Sequence, residues 1–86
     1  MGEPLRFDKA FPMGSERRRE AVYRDGEFVG EIVYVARRRK ARGHELESSA
    51  TGYVTEYGWR PDGWRYSNNA RLTDRTEAAA RLRSVA

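Results

Sequence analysis

The sequence predicts an α+β fold, an antiparallel four-stranded sheet made of two consecutive hairpins and backed by one C-terminal helix. Three observations predict it. Asp25-Gly26 separates two runs rich in β-branched and aromatic residues, Arg60-Pro61-Asp62-Gly63 separates two more, and residues 72–86 carry an Ala-rich stripe at helical spacing behind a capping signal.

Taken in order, residues 1–15 contain Gly2, Pro4, Pro12 and Gly14 among scattered apolar side chains and follow neither period. They read as a partly ordered N-terminal arm, leaving residues 16–86 as a single sheet-plus-helix domain. In "EAVYRDGEFVGEIVYVA" the Asp-Gly pair suits a type I′ turn, which needs positive φ at both central positions, so strands are expected at roughly 18–24 and 27–38. The connection 37–49 is too long for a structureless loop in so small a domain. Both neighbouring strands are therefore extended, with a turn at Lys40-Ala41-Arg42-Gly43. "GYVTEYGW" and "WRYS" make the second hairpin, with Pro61 setting φ for a type I turn and Gly63 taking the left-handed position. Thr73 or Asp74 caps the helix, Asp74 and Glu77 have capping-box spacing, and Ala78, Leu82 and Val85 form its apolar stripe.

Strand side chains alternate, so these turns sort the faces. With Arg24 opposite Glu27, Arg39 opposite His44 and Arg60 opposite Trp64, one face collects Val22, Val29, Val33, Val35, Leu46, Ala50, Val54, Trp64 and Tyr66. The other collects Tyr23, Phe28, Ile32, Tyr34, Tyr53, Tyr57 and Trp59, edged by Arg19, Arg38 and Arg65. A short Ala-Leu-Val helix suits the aliphatic face. Trp64 is then expected inside, and Trp59 on an uncovered aromatic face that needs a partner, because apolar patches on soluble monomers rarely exceed about 300–600 Å².

The 86 residues carry a formal charge of +4, but Arg37 to Arg42 alone hold five cations, so the basicity is local. There is no cysteine, hence no disulfide or thiolate metal site, and no run approaches the ~20 apolar residues of a membrane-spanning helix. A cytoplasmic protein without cofactor or metal is expected. His44, the single histidine, has no catalytic companions, and no nucleophile–base pair or phosphate-cradling glycine loop occurs, so the chain is not expected to be an enzyme.

Cations interleaved with aromatic rings are what a polynucleotide requires, the first neutralising phosphates and the second stacking on bases. The first hairpin brings Arg17, Arg18 and Arg19 to the same end as Arg37, Arg38, Arg39 and Lys40, with Arg42 in the next turn. These residues, with Trp59 and Arg65, form the expected nucleic-acid-binding set, and Tyr23, Phe28, Tyr34, Tyr53 and Tyr57 the aromatic partner face. A solvated arginine face is the plain competing account. The alternative function is a protein-interaction or adaptor module whose aromatic face forms a homodimer or docks on another protein.

The run "GWRYSNNARLTDRTEAAARLR" resembles the last strand and helix of AP2-like domains, including the arm-binding domains of phage-type integrases. The resemblance covers the final quarter of the chain. It implies a sheet laid in a DNA groove with the helix behind it, Arg38, Arg65 and Trp59 touching DNA, DNA in preference to RNA, and an accessory role in a phage or mobile element. The chain departs from that pattern in its extra strand, its arm and its many acidic residues, and no integrase catalytic region is present.

Overall fold

The computed structural model describes residues 4–65 and 72–83. Four antiparallel strands form one sheet in sequence order, β1 (Leu5–Ala10), β2 (Arg18–Arg24), β3 (Glu27–Lys40) and β4 (Tyr53–Pro61). A helical turn, α1 (Glu45–Ser48), lies between β3 and β4, and α2 (Arg75–Ala80) follows the sheet. The fold class is as the sequence predicts, but one strand is a different one. The stretch read as an arm supplies β1, which pairs with β2 from Leu5↔Arg24 to Ala10↔Arg19. Trp64 and Arg65 belong to no strand, and Tyr66, Asn68, Asn69 and Val85 lie outside the described residues. Local alternation missed β1 because Pro4 and Pro12 bracket it just outside its ends, where proline removes no ladder bond.

The first turn is as expected, with Asp25 at φ 53° and Gly26 at φ 79°. Immediately beyond it the register changes. Arg24 pairs with Glu27 and Tyr23 with Phe28, but Val22 pairs with Gly30, leaving Val29 as an extra residue in β3. This is a β-bulge, and it exchanges the two faces for everything past it. Phe28 and Ile32, which simple alternation puts together, lie on opposite faces. Arg18, not Arg19, joins Tyr34 and Trp59 in one row across the sheet.

The helix covers the face that carries Ile32 and Trp59. Val22, Val29, Ile32, Leu72, Ala78 and Ala79 form the buried core, with Leu5, Phe7, Trp59 and Leu82 packed against it. Full burial of a side chain such as Ile32 or Val22 stabilises the fold by about 1.5–3 kcal/mol. The expected orientation of the tryptophans is thus reversed: Trp59 packs on the core, while Trp64 is 39% exposed. Leu46 and Ala50, expected on an aliphatic face, are exposed near the tip beyond β3. Asp74 caps α2 as read, its side chain accepting from the Thr76 N–H. The second turn falls one residue later than expected, with the Trp64 N–H donating to the Pro61 carbonyl and Gly63 at φ 85°.

Gly30 is where sheet and helix meet. Its φ of 142° is open only to glycine, and a Cβ there would stand 2.9 Å from Leu82 Cδ2.

The connection 37–49 is half as expected. β3 does extend to Lys40, but β4 begins only at Tyr53, and α1 occupies the intervening tip. Among the described residues, β3 from Val35 to Lys40 has β4 as its only strand neighbour, since β2 pairs no further than Tyr34. The pair 35–40 and 53–58 is a two-stranded ribbon of about 20 Å projecting from the packed half.

Two substitutions test this packing. Gly30→Ala should lower stability by about 2 kcal/mol, from overpacking and the forbidden φ together, read as a fall in the urea midpoint at unchanged slope. Trp59→Ala should cost about 3 kcal/mol and Trp64→Ala under about 1 kcal/mol in the same assay; the reverse order would contradict the assignment of the core face.

Candidate functional site

The ribbon ends the helix-covered face with a group of cations and rings that the helix does not reach. Position by position, this face carries Ala36, Arg38 and Lys40 from β3 and Tyr53, Thr55 and Tyr57 from β4, with Arg18, Tyr34 and Trp59 forming the row at its base. Tyr53 and Tyr57 are 44% and 50% exposed, and Arg17, Arg18, Arg38 and Lys40 are all exposed. The acid of the ribbon strands, Glu56, lies on the opposite face.

Three guanidiniums lie over three rings. Arg38 stands 4.9 Å from the Tyr53 centroid, Arg17 5.5 Å from Tyr57 and Arg18 5.4 Å from Trp59. Tyr34 supports the last pair, its ring centroid 5.0 Å from that of Trp59. Such contacts fix long side chains over flat surfaces while leaving their N–H groups free to donate outward.

Two predicted arginines are spent elsewhere. The bulge turns Arg19 onto the opposite face, where it is 4% exposed. There it donates to Glu16 (2.5 and 2.8 Å), Glu31 (2.9 Å) and both oxygens of Asp62 (3.1 Å each). Three separate segments are tied by one guanidinium, and Val33, paired with both Arg19 and Arg60, is fully buried beside it. Hydrogen bonding to Arg19 holds the Glu16 and Asp62 carboxyls below their ordinary range, and those carboxylates push the Arg19 pKa up. Arg39 plays a similar part at the tip. It donates to Glu45 at 2.7 and 2.9 Å and to Glu56, and the Glu45 carboxyl, bonded also by the Arg42 N–H, is lowered to about 2. Neither Arg19 nor Arg39 presents its charge to a ligand, so charge reversal across Arg37 to Arg39 would break the tip as well as any binding surface.

The other predicted residues scatter. Arg37 lies with Arg39 on the face opposite the rings, Arg42 is exposed in the tip loop, and Arg65 follows the last turn. Tyr23 and Phe28 pack edge to face at 5.7 Å on that opposite face, with Arg6 over Tyr23 at 4.2 Å, so the expected aromatic partner face is divided between the two sides of the sheet. Sequence reasoning missed Lys9. It lies on the cationic side of β1, paired with Glu20, and lines with Phe7, Arg17 and Arg18 a cleft of about 300 Å³. Reading the arm as a strand, in which Leu5, Phe7 and Lys9 share a face, would have found it. Glu20 does not cancel this charge alone, since Arg75 of α2 donates to it at 3.1 Å.

Among the described residues no group of three or more acidic or histidine side chains could hold a metal ion, and no helix is long and apolar enough to cross a membrane. Comparison of the chain with protein-family models, curated proteins and solved structures returned no match.

Linkage gives the Arg19 cluster a pH signature. Glu16 and Asp62 have folded pKa values depressed from ordinary values of 4.5 and 3.8, so their contribution is fully present above those values and is lost as pH falls through the folded pKa values. Arg19→Met should therefore cost about 2 kcal/mol at pH 7, and less as the pH is lowered below about 4, because the parent loses the same interactions there. Thermal melts of both proteins between pH 7 and pH 2 check this; a constant difference would refute it.

Proposed function

We propose that the protein is a small non-catalytic nucleic-acid-binding module that engages a polynucleotide through the cationic, ring-bearing face of the β3–β4 ribbon. The observation that supports this reading most is the separation of charge. Lys9, Arg17, Arg18, Arg38 and Lys40 lie on one side, exposed and away from the acid of the ribbon, while Glu16, Glu31 and Asp62 are engaged by Arg19, Glu45 and Glu56 by Arg39, and Glu20 by Arg75. A solvated face needs no such sorting. Phosphates spaced along a backbone do, because each cation that replaces a condensed counterion adds to affinity by releasing it. The rings beneath supply flat, partly apolar surface beside the charge, the second requirement of a polynucleotide site.

With about five phosphate contacts, the slope of log K against log salt should be about −3.5 to −4.5. Replacing Arg38 and Lys40 together by Ala should make that slope shallower by about 1.4–1.8 and weaken binding most at low salt. Fluorescence anisotropy with labelled oligonucleotides at several salt concentrations measures both. Absence of binding at low salt, or binding indifferent to salt, would remove this function and favour a protein partner.

A further inference from the structure

Which form of nucleic acid fits depends on what the rings still offer. β4 is an edge strand of the sheet, so whatever reaches its rings from inside comes from β3 or β2. Arg38 projects from β3, and Arg17 is held beside it by its N–H bond to the Tyr34 carbonyl. Each guanidinium therefore caps Tyr53 or Tyr57 from the interior side of the sheet. Among the described residues no strand lies beyond the outer margin of β4, in keeping with rings that are about half exposed. Tyr53 and Tyr57 lie four residues apart on one face, about 13 Å along the strand. Trp59, which continues the row, has its body packed on the core.

Taking the nucleic-acid reading above as its premise, we propose that the occupant is a single-stranded polynucleotide lying along β4, with unpaired bases stacking on the outward surfaces of Tyr53 and Tyr57 and Arg17, Arg18, Arg38 and Lys40 holding its phosphates. In a duplex the base faces are spent on one another and only base edges are offered in the grooves. Two rings with a guanidinium on one side and open on the other are of no use to paired bases. They are complete for unpaired ones, since a stacking platform serves any base and the cation behind the ring adds attraction for the phosphate. Nothing in this geometry touches a ribose 2′-OH, so thymidine and uridine strands share the chemistry, and the test carries both.

The experiment measures anisotropy of oligo-dT, oligo-U and a mixed-sequence DNA duplex of equal length over one shared series of salt concentrations. Either single strand should bind at least about tenfold more tightly than the duplex, and the oligo-dT to oligo-U ratio identifies the sugar. Tyr53→Leu with Tyr57→Leu should weaken single-strand binding by at least about 25-fold, taking about 5- to 150-fold per stacked base, with the salt slope unchanged. The double Phe variant, which keeps both rings, should bind far more tightly than the double Leu variant, and Tyr23→Leu on the other face should leave affinity as it is. If the Leu variant does not fold by circular dichroism, photocrosslinking of the parent protein to an iodouracil-bearing strand decides, with adducts expected at Tyr53 or Tyr57. A duplex bound as tightly as the single strands, or adducts confined to other residues, overturns the single-strand assignment while leaving nucleic-acid binding in place. No binding to any of the three removes both.

Discussion

One extra residue in β3 decides how this molecule is arranged. Val29 has no partner in β2, and the resulting bulge turns Val22 and Ile32 to the same side. It also places a glycine, at a φ that glycine alone tolerates, under Leu82. Without the shift, α2 would meet a side chain where it now meets hydrogen. Without it, too, Arg17 rather than Arg18 would stand opposite Tyr34 in the row of Trp59, and Arg19 would share that face. The local kink therefore sets both where the helix can pack and which arginines remain outward, two matters that look unrelated in the sequence.

The arginines illustrate how one residue type serves opposed ends. In Arg19 and Arg39 the planar fork donates mainly to carboxylates, and the side chain acts as a cross-tie between segments. A buried charge of this kind is tolerated because several acceptors satisfy it at once. In Arg17, Arg18 and Arg38 the same fork lies over rings, on exposed side chains. The difference is not in the residue but in the face and in the acids nearby. A small domain with a modest apolar core gains from the first use. The second leaves cations and rings side by side on one exposed surface.

The aromatic face is shared between two tasks. Its lower half, with Trp59 and Ile32, is roofed by α2, Leu72 and Leu82, which answers the apparent shortage of cover that the sequence suggests. Its upper half, on the ribbon, stays open because a six-residue helix is too short to reach it and β2 ends before it. Arginines stand over the exposed rings, which keep about half their surface open to solvent. Phe28 and Trp64 lie elsewhere, beside Val29 and Leu82, and belong to a separate cleft.

Rules acting over a few residues were enough for the Asp25-Gly26 turn, the Asp74 cap, the strands β2, β3 and β4, the helix α2, the reach of β3 to Lys40, and the grouping of Arg38 with Tyr34, Tyr53 and Tyr57. These follow from turn stereochemistry and from alternation within a strand, which are local rules. Tertiary structure alone decided the rest. That residues 5–10 form an edge strand, that Val29 bulges, that α2 chooses the tryptophan-bearing face, and that Arg19 is buried while Lys9 is outward all depend on partners distant in the chain. A single inserted residue in a ladder inverts every assignment beyond it; the lone Gly30 inside the β3 run signals a bulge or a close approach, but the neighbour that approaches, Leu82, lies some fifty residues away and no local pattern names it.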